Sequence, residues 1–145
     1  HVPLDQFDAP NNELMAAAQA IKDIESSGGN YQARGPVVKS GMYTGQRAMG
    51  AYQVMPGNLP QWSKSALGRE VTEEEFLSDM GIQDSIFLDQ FTKSYKKHGN
   101  FNDAASIWFT GETVEKGRGR TDGQMTSEDY LKGFTGKFNR YLNEV

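Results

Sequence analysis

The sequence of 145 residues predicts a mainly α-helical single domain with one short irregular or β-hairpin region between its first two helices. Three observations carry that reading. Apolar residues recur at three- and four-residue spacing along most of the chain. Polar start signals and glycine stops bracket those stretches. Between residues 28 and 50 the helical period disappears into a run rich in Gly, Tyr, Gln and Ser.

The elements follow in order. Residues 1–11 are polar, hold two prolines and read as an N-terminal arm; residues 12–145 form the domain. The first helix is predicted from Asn12 to Ser26, with Leu14, Ala17, Ala18, Ile21 and Ile24 on one side and Gly28-Gly29 as its stop. Glu25 lies four residues after Ile21, so its carboxylate emerges at the end of the apolar face. A short helix is expected over Asn58–Leu67. Thr72 and Glu75 form a capping box, with Val71 and Phe76 as its hydrophobic staple. A longer helix is predicted over Ile82–His98, ended by Gly99, and Asn102 is the expected cap of a helix over Ala104–Thr110. A glycine-studded loop with Lys116, Arg118 and Arg120 leads to a second capping box at Thr126–Asp129. The last helix carries Leu131, Phe134, Phe138, Tyr141 and Leu142.

Composition narrows the function. The chain has no cysteine, which excludes disulfides, thiolate metal sites and a cysteine nucleophile. Two distant histidines make a zinc site improbable, so no metal and no cofactor are expected. A net charge of −4 argues against nucleic acid as partner, and no apolar run reaches membrane-spanning length. The first residues have neither a charged n-region nor an apolar h-region, so no signal peptide is expected. The charges are unevenly spread: residues 26–69 hold five bases (Arg34, Lys39, Arg47, Lys64, Arg69) and no acid, whereas residues 70–145 hold fourteen acids and nine bases.

Four stretches stand out: Glu25-Ser26, Gly50-Ala51-Tyr52-Gln53-Val54-Met55-Pro56, Ala104–Gly111, and Tyr130. In this order and spacing they resemble the soluble lytic transglycosylase family, of the lysozyme-like superfamily and related to goose-type lysozyme. The likeness runs from about residue 13 to 142. In that family a Glu-Ser pair ends the first long helix, a Gly-Leu-Met-Gln-hydrophobic-Met-Pro segment follows, then Ala-Ala-Tyr-Asn-Ala-Gly, then a Tyr near the C-terminus. This chain departs twice, with Ala51-Tyr52 at the family's Leu-Met and Trp108-Phe109 at its Tyr-Asn.

The resemblance implies an α+β lysozyme-like fold and a peptidoglycan-cleaving enzyme with Glu25 as catalytic acid and base. Ser26 would orient the carboxylate or the substrate's N-acetyl group, and Gln53 would hydrogen-bond the sugar. Tyr52 and Met55 fall within the family's cleft segment, Trp108 would supply a stacking wall, and Tyr130 would set its hydroxyl against Glu25. The bases Lys116, Arg118, Arg120, Arg34 and Arg47 are candidates to attract the carboxylates of peptidoglycan stem peptides.

The residues point to the same chemistry. Protonating a glycosidic oxygen calls for a carboxylic acid with a raised pKa, and a conventional glycosidase needs a second carboxylate across the sugar. Residues 26–69, where goose-type hydrolases would carry theirs, contain none. The expected reaction is therefore a lytic transglycosylase's, with Asp103 and Asp122 as the later acids that could instead return to the cleft and support hydrolysis. A glycan-binding module without catalysis is the rival from another class. The partner implied is the glycan strand of peptidoglycan at an extracytoplasmic site. A chain beginning without Met fits a piece of a larger phage virion, tail or secretion assembly.

Overall fold

Leu14, Ala17, Ala20 and Ile21 are fully buried, whereas Met15 is 54% exposed, so one stripe of the first helix faces the core. The computed structural model describes residues 11–144, and among them the chain is mostly helical. Its helices are α1 (Asn11–Ser26), α2 (Leu59–Leu67), α3 (Glu73–Ser78), α4 (Met80–His98), α5 (Phe101–Thr110) and α6 (Ser127–Asn143). A two-stranded antiparallel sheet, β1 (Arg34–Val37) and β2 (Arg47–Met49), lies between α1 and α2. The arm read into residues 1–11 lies outside the described residues except for Asn11, which is already helical. No helix among the described residues is long and apolar enough to cross a membrane.

Two apolar clusters organise the interior. The larger joins α1, α4, α5 and α6 through Leu14, Ile21, Phe87, Phe91, Ala105, Tyr130 and Phe134. The smaller gathers Met49, Val54, Leu59, Val71, Phe76 and Ile86 beneath the sheet, α2 and α3. Helix α4 contributes to both through the adjacent Ile86 and Phe87, and Trp108 of α5 packs against both. The smaller cluster thereby fixes the 49–54 segment against the helical bundle.

Local start signals worked where they were complete. Thr72 accepts from the Glu75 N–H, Glu75 reaches back to the Thr72 N–H, and Val71 and Phe76 are both buried. That box opens a separate short helix, because Asp79 stops α3 and then caps α4 by accepting from the Ile82 N–H. The cap of α5 is Asn100, two residues before the expected Asn102. Left-handed Gly99 turns the chain so that Asn100, in extended conformation, accepts from the Asp103 N–H. At α6 only half of the expected box forms: Thr126 accepts from the Asp129 N–H. The shorter aspartate is less able than glutamate to reach back.

Candidate active site

Glu25 sits in the last turn of α1 and is half-buried. The Tyr130 hydroxyl, from the first turns of α6, donates to Glu25 Oε2 at 2.9 Å. Removal from water pushes the Glu25 carboxyl up to about 8, against an ordinary 4.5; the Tyr130 hydrogen bond pulls the other way, and the charge of Asp122 adds to the rise. The carboxyl therefore keeps its proton at neutral pH while Tyr130 occupies one of its oxygens. Tyr130 is buried and its own pKa is raised by that burial and by Glu25, so its hydroxyl stays a donor.

Phe109 explains how Tyr130 is held. Its ring stacks on the Tyr130 ring with centroids 4.3 Å apart and planes 13° from parallel. Where the resembled family carries a polar Asn, this chain braces the phenol that meets the acid.

Residues 50–53 form a tight turn between Met49 and Val54, whose backbone groups exchange hydrogen bonds of 2.8 and 2.9 Å. Both ends of the turn are left-handed, Gly50 at φ 80° and Gln53 at φ 59°. At Gln53 this is a conformation that a residue with a side chain occupies at a cost of about 1 kcal/mol. Every residue of the turn is held from outside or within. The Gly50 N–H donates to Ala33 O at 2.7 Å, the Ala51 N–H to Gln83 Oε1 at 2.9 Å, Ser26 Oγ to Ala51 O at 2.8 Å, and Trp108 Nε1 to Tyr52 O at 3.1 Å. Gln53 Nε2 donates to Gly50 O at 3.0 Å, and its Oε1 lies only 2.7 Å from where a Cβ on Gly35 would be. The Gln53 amide thus lies across the turn against β1.

These contacts revise several expected roles. Ser26 does not orient the carboxylate: its hydroxyl donates to the Ala51 and Lys22 carbonyls and accepts from the Asn30 N–H, which ties the end of α1 to the turn. Tyr52 is a core residue, 2% exposed, with its ring stacked on Phe87 at 4.2 Å and its hydroxyl donating to Asp84 at 2.7 Å. It has no face left for a sugar, because stacking on Phe87 and the bond to Asp84 hold it inward. Trp108 is half-buried and wedged edge-on to Phe87, with Trp62 at 5.4 Å, so it braces the turn rather than standing as a free wall. Met55 is half-buried at the start of the 3-10 turn Pro56–Asn58.

Sequence reading missed the residues behind the turn. Gln83 is fully buried and donates to the carbonyls of Tyr31 (2.7 Å) and Phe76 (2.8 Å) while accepting from Ala51. Gly50 must be glycine here, since a Cβ would sit 2.2 Å from Gln83 Oε1. Asp84 accepts from both Tyr31 and Tyr52 at 2.7 Å, and Lys22 donates to Tyr31 at 3.2 Å. Burial and that carboxylate push the Tyr31 hydroxyl up to about 12. No local signal marks these residues, because Gln83 and Asp84 stand in a helix of mixed polar and apolar composition.

Of the two later acids, Asp103 accepts from the Asn100 amide and the Val114 N–H and serves the α5 cap. Asp122 differs. Its Oδ1 accepts from the Gln124 and Met125 N–H groups at 2.8 Å in a small loop closed by the Thr121–Thr126 bridge, and its charge is felt at both Glu25 and Tyr130. Among the described residues no group of three His, Asp or Glu side chains gathers as a metal site.

Tyr130→Phe tests the contact directly. Losing a donor that lowers the Glu25 pKa moves that pKa higher, so any activity needing protonated Glu25 should fail at a higher pH than in the wild type. A drop of roughly tenfold in rate is expected alongside, because the acid is less well held; a pH–rate profile checks both.

No family model, curated protein or solved structure matches this chain.

Proposed function

We propose that this chain is a peptidoglycan lytic transglycosylase of lysozyme-like fold, in which Glu25 serves alone as acid and then base. The observation that carries the reading is a carboxyl kept protonated to about pH 8 by burial and held by the Tyr130 hydroxyl. It is joined by the lack of any carboxylate in residues 26–69. Glu25 gives its proton to the glycosidic oxygen as the bond from C1 of the muramic acid breaks. The carboxylate left behind then takes the proton of that sugar's C6 hydroxyl as its oxygen bonds to C1. Glu25 is reprotonated, a 1,6-anhydro ring is formed, and no water is consumed. The partly exposed Gln53 and Met55, at the outer edge of the pinned turn, are the residues against which the sugar would rest.

Mass spectrometry of the products tests this. Anhydro ends, each one water lighter than a reducing end, are expected throughout, and fully hydrated ends would overturn the lyase reading.

A second reading is favoured by Asp122, whose charge acts on Glu25. In it Asp122 activates a water and the enzyme is a hydrolase of the lysozyme type. Asp122→Asn separates the two. The lyase should keep most of its activity, with its alkaline limb moved slightly down because a cause of the raised pKa is gone. The hydrolase should lose nearly all of it.

A further inference from the structure

Lys22, Tyr31, Tyr52 and Asp84 come from four separate segments and form one polar chain. Asp84, half-buried on α4, accepts from the Tyr31 and Tyr52 hydroxyls on the same oxygen, each at 2.7 Å. Lys22 of α1 donates to the Tyr31 hydroxyl at 3.2 Å, and its Nζ stands 5.5 Å and 5.8 Å from the centres of the Tyr31 and Tyr52 rings. Lys22 makes no ion pair among the described residues. Its countercharge is Asp84, reached through a Tyr31 hydroxyl that accepts from the one and donates to the other.

The two arms of the carboxylate end on the two segments that bound the candidate site. One, through Tyr52, ends in the 50–53 turn. The other, through Tyr31, ends on α1 at Lys22, less than one helical turn before Glu25. Ser26 closes the circuit, with its Oγ 3.2 Å from the Lys22 carbonyl and 2.8 Å from the Ala51 carbonyl. Stability alone does not call for charges here, since apolar side chains of similar volume join buried elements at least as well. What the charged chain adds is a fixed distance and direction. We infer that Asp84 is a positioning residue: through Tyr52, and through Tyr31 and Lys22, it holds the last turn of α1 against the 50–53 turn and so keeps Glu25 in place. The groups that face Glu25 are Tyr130 of α6 and Asp122 of the loop before it, whereas Tyr31, Tyr52 and Lys22 gather around Asp84. Release of the tether therefore reaches Glu25 by admitting water beside it.

The test is NMR titration of the Glu25 side-chain carboxyl in two variants of the full chain, Asp84→Ala and the pair Tyr31→Phe with Tyr52→Phe. Removal from water is what raises that carboxyl to about 8, so readmitted water lowers it, and a fall of about one pH unit is expected in both variants. A roughly tenfold drop in kcat with KM nearly unchanged is expected alongside, because a misplaced acid is missed in the transition state more than in binding. The paired variant removes two oxygens, keeps both rings and leaves the Asp84 charge in place, so it folds and decides the matter even where Asp84→Ala does not fold. A melting temperature that falls while the Glu25 titration stays put marks a merely structural network and overturns the inference. So does a shift confined to Asp84→Ala, which marks a lost charge acting through space, and so does an unchanged kcat in the paired variant. Because the inference rests on Glu25 being the acid, the titration is chosen to need no cleavage: wild-type protein that releases no fragments from peptidoglycan overturns the reading of Glu25, while the titration alone decides the tether.

Discussion

Glu25→Gln is expected to reduce glycan cleavage by roughly 10³-fold or more while raising the stability of the fold. Glutamine keeps the shape and still accepts from Tyr130, but it has no proton to give to a leaving oxygen. The stability gain follows from the same burial. The Glu25 pKa is raised on folding from 4.5 to about 8, so the folded state holds a proton that the unfolded state has released across that window. Its contribution to stability is fully present below about pH 4.5 and is lost as pH rises through about 8. Neutral glutamine is free of that loss. The variant's melting temperature should therefore exceed the wild type's most clearly at pH 8 to 9, and the two should converge toward pH 4. Measured fragment release together with thermal melts at several pH values checks both halves, and a variant that is inactive because it is unfolded would contradict the prediction.

Gln83→Leu should produce the largest loss of stability. The side chain is nearly isosteric and would satisfy the apolar surroundings, yet three buried backbone groups would lose their partner: the carbonyls of Tyr31 and Phe76 and the N–H of Ala51. Unsatisfied buried groups cost about 1–3 kcal/mol each before relaxation. With partial relaxation a net loss of about 3–5 kcal/mol is expected, or roughly 10–16 °C in melting temperature for a domain of this size. Cleavage should suffer as well at temperatures where the variant is still folded, because Ala51 sits in the turn that also holds Gln53. Gln83→Glu is the informative companion. It can still accept from Ala51 but cannot donate to the two carbonyls, so it too should fall well below the wild type in a thermal melt.

What could be read in advance was local. The Thr72–Glu75 box and the Gly99 and Gly111 stops lie within a turn of the helices they govern, and so do the apolar stripes of α1 and α6. The start of α4 falls at Met80, two residues before the predicted Ile82, because Asp79 ends one helix and caps the next, a role that depends on a backbone angle rather than a motif. Asn100 outcompeted Asn102 for the same kind of reason: the left-handed glycine before it sets the entry angle.

The site divides along the same line. Glu25 and Tyr130 could be paired in advance only through resemblance, since 105 positions separate them. Tyr52 looked like a cleft residue because its neighbours are cleft-like, but Phe87, thirty-five positions on, decides which way it turns. Gln83 was invisible for a related reason. Its partners Ala51 and Tyr31 are 32 and 52 positions away, and a lone glutamine in a helix has no periodicity to betray it.

The wedge formed by Trp108 carries a spectroscopic consequence. The chain has two tryptophans: Trp108 packs against both apolar clusters, and Trp62 lies beside it against the smaller one. Indole emission therefore watches a single junction, the one through which α5 grips the 50–53 turn, while the contact between α1 and α6 stays dark. Loosening of that junction would change fluorescence before the helical signal in circular dichroism falls, so the interval between the two transitions would measure how far the turn can come free while the bundle stands.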